Sequence, residues 1–249
     1  MKKIIIAALV CAASVTVVKA QTEKGNLFMG STIGYTEYSS QNQNLAYPDG
    51  NFENTNTKFS GILLQPEFGV FVSDHLVFGG NLNLDYRHFN RILNKTETST
   101  VNSSTITNTT TVTIGPFLRY YFFGSQPAST LFYIQAGANA GTGGGNTSGT
   151  GSNPSVNYTV SGTVNQMFVW GGAGSIGVTH FISKDIGLDI ALGYLYDHEK
   201  SNNVNTTDNT ATSGSKSTSS NNYELASHTN GVTLSAGFHW FLTSAKKHS

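Results

Sequence analysis

A two-residue period in hydrophobicity runs through the chain from residue 21 onward and constrains the fold more than any other feature. Side chains alternate between the two faces of a β-strand, so this period predicts strands with one apolar face. Eight stretches show it, near residues 27–36, 59–72, 76–89, 111–123, 130–141, 164–182, 186–196 and 231–242. The clearest is the seventh, which reads Ile-Gly-Leu-Asp-Ile-Ala-Leu-Gly from residue 186. We therefore expect an all-β protein.

The connections between these stretches alternate between short and long. The short ones lie near 72–75, 124–129 and 183–185, whereas 39–57, 91–108, 142–162 and 199–223 are long and rich in Asn, Ser, Thr and Gly. Such segments cannot bury enough apolar surface to fold alone, so we interpret them as irregular loops. Because long and short connections alternate, the four loops share one end of an antiparallel up-and-down array of eight strands.

Alternation alone does not say which face of such an array points outward. Only 11% of the residues are charged, less than half of the roughly 25% in an ordinary soluble domain. The row opposite the apolar one is mostly small and polar, and its few charges are mixed in sign. Buried charges are costly unless they are paired. We therefore predict a lumen polar network of Glu67, Asp85, Arg87, Arg119 and Asp189, with the apolar row facing lipid.

Aromatic residues of the apolar row collect at the ends of the stretches, as in the interface belts of membrane proteins. The predicted girdle contains Phe122, Phe132, Phe181 and Trp240 near the short turns and Tyr35, Tyr86, Tyr194 and Tyr196 near the long loops. Strands of about 9–11 residues can cross a bilayer, and closure satisfies every backbone group. These features predict an eight-stranded antiparallel up-and-down transmembrane β-barrel. We interpret Pro66, Pro116 and the glycine-rich segment 171–174 as local bulges.

The first twenty residues have the pattern of a secretory signal peptide. A short basic start is followed by an apolar stretch from Ile4 to Val18 and small residues before a cut at Gln21. The only cysteine, Cys11, lies within it, so the remainder, 21–249, forms no disulfide. Three of the 14 basic residues leave with it while all 14 acidic residues stay, which gives a net charge of −3. We therefore predict no nucleic-acid partner.

Three segments carry a resemblance to a known family. The segment 65–79 reads Gln-Pro-Glu-Phe-Gly-Val-Phe-Val-Ser-Asp-His-Leu-Val-Phe-Gly, 114–122 reads Ile-Gly-Pro-Phe-Leu-Arg-Tyr-Tyr-Phe, and 237–241 reads Gly-Phe-His-Trp-Phe. They resemble strands and a turn of the small outer-membrane-protein β-barrels, the eight-stranded outer membrane protein A and X type. The resemblance implies the outer membrane of a Gram-negative bacterium, periplasmic termini and extracellular loops. It also implies outer-membrane lipid, lipopolysaccharide and the barrel-insertion machinery as partners.

Few residues suggest chemistry. His88 near Asp85, His198 between Asp197 and Glu199, and His228 beside Ser227 could serve a lipid-modifying enzyme. Neighbours in sequence point to opposite faces of a strand, however, which weakens each grouping. No pair of His or Cys has metal-ligand spacing in the sequence, and the glycine-rich segment from 142 lacks the Lys-Ser/Thr ending of a phosphate loop. We predict no catalytic residue, metal or cofactor.

The functional prediction that remains is a structural or surface-interaction barrel with a lumen plugged by polar side chains. Loops on a rigid frame are a common place for binding, so the segments 39–57, 91–108, 142–162 and 199–223 could contact an extracellular ligand. A small porin-like channel is the alternative. A lipid-modifying enzyme ranks third.

Overall fold

The computed structural model describes residues 22–46, 52–95, 102–122, 130–152 and 155–243; the predicted signal peptide lies outside these ranges. Within them no helix is long and apolar enough to cross a membrane. The described residues form eight strands: β1 (Leu27–Ala46), β2 (Phe52–Ser73), β3 (Leu76–Lys95), β4 (Asn102–Phe122), β5 (Thr130–Ser152), β6 (Val156–Phe181), β7 (Ile186–Ala211) and β8 (Lys216–Leu242).

The strands form a closed antiparallel barrel in chain order. Each strand pairs with the next, and β1 pairs with β8 from Leu27–Leu242 to Thr36–Thr233. Past the Thr36–Thr233 pair, β1 is paired with β2 alone and β8 is paired with β7 alone. The seam between the first and last strands therefore closes only the part of the barrel nearer the short turns. The predicted fold, an eight-stranded up-and-down barrel, is confirmed.

The interpretation of the long connections as irregular loops is wrong. Most of 39–57, 91–108, 142–162 and 199–223 continues the flanking strands, which reach 20 to 27 residues in length. The backbone hydrogen bonds of the barrel extend into these segments, so each residue gains a ladder partner without having to bury an apolar side chain. Thr is also well suited to strands. The strands thus extend as paired ribbons well beyond the eight stretches of clear alternation.

The faces of the strands are arranged as the two-residue period predicts. Ile33, Ile114 and Ile190 are 57%, 69% and 59% exposed on the outside of the barrel, whereas Asp189 and Ala191 beside Ile190 are only 1% and 5% exposed. Large apolar side chains are exposed on the outside of every strand, and polar atoms are concentrated inside.

The structure has no register shift at the three positions where bulges are predicted. Pairing on β1 passes Pro66 and pairing on β3 passes Pro116 without a shift of register. Each proline is paired on one side only, because Pro66 has no register partner on β3 and Pro116 has none on β5. In β6 the register shifts between Asn165 and Phe168 rather than at 171–174, and Gln166 has a φ of 50°. The inward residues of β6 are odd-numbered from Met167 to Phe181, on the turn side of the bulge, and even-numbered from Val156 to Val164, on its other side.

A cluster of buried apolar side chains, which we call the apolar floor, lies inside the barrel near the short turns. Composition alone indicates a small polar inner row, but the turn end is lined by a buried cluster of Phe28, Phe71, Val77, Phe117, Tyr121, Leu131, Tyr133, Phe181, Ala191 and Phe241. The prediction that Phe181 belongs to the outer girdle is therefore wrong. It is 1% exposed, and its ring centre lies 4.9 Å from that of Phe241. Phe181 shares the inward row of Thr179, while Ile182 takes the exposed position at the strand end.

Candidate functional site

The lumen holds a buried ionic cluster directly above the apolar floor, which we call the turn-side layer: Glu67, Arg119, Asp189 and His239. Arg119 lies at its centre, donating from Nη2 to Glu67 Oε2 at 2.9 Å and from Nη1 to Asp189 Oδ2 at 2.7 Å. Gln135 accepts from Arg119 Nε and donates to Glu67 Oε1 at 2.7 Å. Four strands thus meet at one guanidinium, whose fixed fork matches carboxylates on opposite sides.

His239 completes the turn-side layer, and sequence reasoning did not select it. Its Nε2 lies 3.2 Å from Glu67 Oε2 and its Nδ1 lies 3.0 Å from Asp189 Oδ2. The imidazole stacks on Phe28 with ring centres 4.5 Å apart, and a Cβ at Gly30 would clash with it. The sequence does place His239 in the inward-facing row of β8, with Thr233, Ser235 and Gly237. Its partners could not be read from the sequence because they lie on β2 and β7.

Aromatic rings of the floor also contact the guanidinium. Arg119 Cζ lies 4.2 Å from the ring centre of Tyr133 and 4.7 Å from that of Phe28. Cation–π contacts of this kind contribute about 2 kcal/mol when they are desolvated. The apolar floor and the turn-side layer therefore form one continuous packed unit.

A second ionic cluster, the hairpin-side layer, lies farther along the lumen and comprises Asp85, Arg87, Asp197 and Glu199. Arg87 binds all three carboxylates, with Nε on Asp85, Nη2 on Asp197 and Nη1 on Glu199. Asp85 and Arg87 belong to the predicted lumen network. Asp197 and Glu199 were instead assigned to an enzyme-like grouping, although their odd numbering continues the inward row of Asp189 along β7.

A small polar chamber separates the two layers. Its volume is about 100 Å³, which admits several waters at about 10–15 Å³ each. Asn81 and Asn83 line it, and within the described residues their Oδ1 atoms have no hydrogen-bond partner. Backbone of Gly137, Gly172 and Gly193 forms much of the opposite wall. Two ionic layers and a polar chamber thus succeed one another along the inside of the barrel.

Beyond the hairpin-side layer the interior becomes apolar again and then opens. Val164, Met167 and Val169 form a second buried apolar cluster next to the β6 bulge. Farther out, the paired ribbons enclose a wider cavity of about 580 Å³. Its lining is mostly hydroxyl-bearing and includes Ser103, Ser104, Thr150, Tyr158 and Thr159.

The aromatic residues assigned to the girdle fall into two groups. Tyr35, Tyr86, Phe132, Tyr194, Tyr196 and Trp240 are exposed on the outer surface. Phe122 is half-buried with its ring 6.5 Å from that of Phe132, and Phe181 belongs to the floor. Tyr86 Oη donates to Asn108 Oδ1 at 3.1 Å and Tyr35 Oη to Glu37 Oε2 at 3.2 Å. Their hydroxyl groups thus point to polar partners beside the apolar band.

The enzyme-like groupings are separated by the wall of the barrel. Asp85, Asp197 and Glu199 point inward to Arg87, whereas His88 contacts Asn108 Oδ1 at 2.7 Å and His198 contacts Trp170 and His228 on the outside. A base and its orienting acid must lie within hydrogen-bond reach. The strand alternation places these imidazoles and carboxylates on opposite faces instead.

Comparison with known proteins gives matches in structure only. No protein-family model and no curated protein matches the chain. The outer membrane protein OprG from Pseudomonas aeruginosa superimposes with a TM-score of 0.52 at 14% identity, covering 91% of this chain and all of that one. Neisserial surface protein A gives 0.32 at 12% identity over 88% and 97% of the two chains. A major outer membrane protein from Thermus thermophilus gives 0.37 at 12% identity over 85% and 99%.

The fold is therefore that of the small outer-membrane β-barrels, which agrees with the resemblance found in the sequence. The match to OprG spans nearly the whole of both chains and includes the ring of antiparallel strands. At 14% identity it defines the architecture of the chain and nothing about its ligands.

Proposed function

We propose that the chain is an integral outer-membrane barrel with a structural or surface-interaction role. The observation that carries this proposal is the continuous belt of exposed large apolar side chains, which includes Ile62, Ile114, Ile176 and Leu234. Soluble monomers rarely expose contiguous apolar patches beyond a few hundred Å², and a bilayer covers such a belt completely. The envelope of a Gram-negative bacterium with periplasmic termini is the corresponding location, because the first and last described residues, Thr22 and Thr243, lie at the same end of the barrel as the short turns.

The second part of the proposal is that the lumen does not conduct. The floor, the turn-side layer and the hairpin-side layer succeed each other along the axis, and the chamber between the layers has only about 100 Å³. Each layer pairs its arginine with carboxylates from two strands, β3 and β7 for Arg87 and β2 and β7 for Arg119. Opening such a layer would expose unpaired buried charges, which is strongly unfavourable.

The third part concerns partners. Outer-membrane lipid and lipopolysaccharide would contact the apolar belt and its tyrosines, and the barrel-insertion machinery would deliver the folded chain. The described residues of 39–57, 91–108, 142–162 and 199–223 form paired ribbons, and their hydroxyl and amide groups would lie outside the membrane. The 580 Å³ cavity near Tyr158 is the place where an extracellular ligand would find an aromatic surface and hydrogen-bonding groups together.

Planar-bilayer recording of the purified barrel tests the closed lumen. The wild type should be silent. The floor variant combines Phe71→Ala, Tyr121→Ala and Phe241→Ala with Arg87→Ala and Arg119→Ala, and it should conduct because the three inward rings and the arginine at the centre of each ionic layer are then all removed. The matched control replaces outward aromatics, Phe68→Ala, Tyr120→Ala and Phe238→Ala, and should remain silent.

Sustained large unit steps from the wild-type protein would overturn the closed lumen and favour the small porin-like channel. The chamber is the observation in favour of that alternative, because a polar space large enough for several waters lies at mid-lumen. If the floor variant does not fold, as judged by heat-modifiable gel migration, the recording of the wild-type protein alone still tests whether the lumen is closed. A lipid-modifying enzyme remains third, because the imidazoles of His88 and His198 lie on the opposite side of the wall from Asp85, Asp197 and Glu199.

A further inference from the structure

Two histidines face each other on the outer wall of the barrel, away from both ionic layers. His198 of β7 and His228 of β8 are direct register partners. Their Nδ1 atoms lie 3.2 Å apart, while their ring centres are 4.6 Å apart. Because the nitrogens are closer than the ring centres, the two Nδ1 edges point toward each other.

A third polar atom meets this pair. Tyr196 Oη lies 2.7 Å from His228 Nδ1. A neutral imidazole nitrogen offers either one hydrogen or one lone pair, so His228 Nδ1 can form a full hydrogen bond with only one of Tyr196 and His198. Protonating both rings would place two N–H groups against each other. The arrangement suits a central cation that accepts a lone pair from each imidazole.

The spacing of the two nitrogens matches that of a metal site. Two imidazoles bound to one tetrahedral ion at about 2.0–2.1 Å place their nitrogens about 3.4 Å apart, and the observed distance is 3.2 Å. Imidazole is a preferred ligand of Zn²⁺ and Cu²⁺. We propose that His198 and His228 form a two-histidine site for a divalent late transition-metal ion such as Cu²⁺ or Zn²⁺, bridging β7 and β8.

The remaining coordination positions are open. No group of three or more His, Cys, Asp or Glu side chains in the described ranges is arranged to hold a metal, so water or Tyr196 Oη completes the shell. His228 is exposed and His198 half-buried, which leaves the ion a path from solvent. Asp197 and Glu199, the acidic neighbours of His198, are directed into the lumen. They neither ligate the ion nor take part in its uptake.

Aromatic rings frame the site at the edge of the apolar belt. The ring of Trp170 lies 5.3 Å from that of His198, and Tyr196 stacks on His228 with ring centres 5.7 Å apart. The next outward residue on the same row, Lys200, pairs with Glu224 at 2.8 Å. The site therefore lies where the apolar surface gives way to the polar ribbons. Trp170 is close enough for a bound Cu²⁺ ion to quench its fluorescence.

Sequence spacing gave no indication of this site. The two histidines are 30 residues apart, and only the β7–β8 register places one opposite the other. The inference does not depend on whether the lumen conducts, because every group involved lies on the outer face.

Titration of the folded, full-length barrel with Cu²⁺ in detergent tests the proposal, using protein without a polyhistidine tag. The Trp240→Phe background leaves Trp170 as the only tryptophan. The electron paramagnetic resonance spectrum should show nitrogen hyperfine structure from two imidazoles, and Trp170 emission should be quenched. His198→Gln and His228→Gln should each weaken binding by at least about tenfold, since one of two imidazole ligands is lost. His88→Gln and His180→Gln are matched controls and should bind like the parent.

Two outcomes would overturn the site. One is Cu²⁺ binding that persists unchanged in the His198→Gln and His228→Gln variants. The other is no saturable binding in a parent protein whose gel migration shows that it is folded. In the first case, a spectrum with one nitrogen ligand that neither substitution alters would assign the ion to another histidine.

Discussion

At the scale of single residues, Arg119 is the side chain that joins the turn-side layer to the apolar floor. It binds Glu67 and Asp189, contacts two rings of the floor and hydrogen-bonds Gln135. Charge sign and strand parity are sufficient to predict that Glu67, Arg119 and Asp189 face inward. They are not sufficient to predict the pairing, because the partners lie 52 and 70 residues from Arg119. His239 shares the inward parity of β8, but it lacks the fixed charge that marks Glu67, Arg119 and Asp189.

Replacing Arg119 tests this view of the turn-side layer. Arg119→Met leaves two buried carboxylates without their cation, and we expect the free energy of unfolding to fall by about 3–5 kcal/mol. Urea unfolding of the barrel in lipid vesicles measures it.

The matched control for Arg119 is Lys200→Met, which breaks an exposed pair with Glu224. We expect this change to cost less than about 1 kcal/mol, because water screens exposed ion pairs. Equal losses in the two variants would mean that the lumen is hydrated enough to screen Arg119, and would contradict the packed layer.

At the scale of the elements, the length of the strands is the largest departure from the sequence prediction. At about 3.3 Å per residue, the 26 residues of β6 extend for roughly 85 Å, whereas about 9–11 residues cross a bilayer. The alternation that defines a strand in sequence disappears once neither face meets lipid or an apolar core. The outer part of β5, residues 141–152, consists entirely of Gly, Ser, Thr and Asn, so the sequence cannot distinguish its ladder from a loop. The floor was missed for a related reason, since consecutive aromatics such as Tyr120, Tyr121 and Phe122 obscure the parity.

Shortening the last ribbon tests whether its outer part is an accessory. Removing residues 204–222 and joining Asn203 to Tyr223, which are register partners, through an Asn-Gly turn keeps the β7–β8 ladder intact below the cut. Two-residue turns of this type suit antiparallel hairpins. We expect the heat-modifiable gel migration of the folded barrel to be retained.

The contrasting variant removes residues of the membrane part, 188–193, and should abolish that migration because the ring can no longer close. If the shorter ribbon alone prevented folding, the outer half of β7 and β8 would be part of the folding core, and its role as an accessory surface would be wrong.

At the scale of the whole molecule, the location in a membrane depends on which face of the barrel wall carries the apolar side chains. The exposed row around the barrel is apolar, and the inner row changes from an aromatic floor through two ionic layers to a polar mouth. Composition and periodicity predicted this orientation. The closure of the ring is visible in the pairing of β1 with β8, and it removes the free strand edges that a bilayer cannot tolerate.

A spin-label scan along β7 in lipid vesicles tests the orientation most directly. The predicted mature chain has no cysteine, so single cysteines at positions 187–194 can be labelled one at a time and their collision rates with oxygen and with a water-soluble nickel chelate measured. Labels at 188, 190, 192 and 194 should collide strongly with oxygen, which concentrates in the bilayer, and labels at 187, 189, 191 and 193 should not. Oxygen accessibility that peaks at the odd positions, or nickel accessibility that is high at 188, 190 and 192, would contradict a barrel whose apolar row faces lipid.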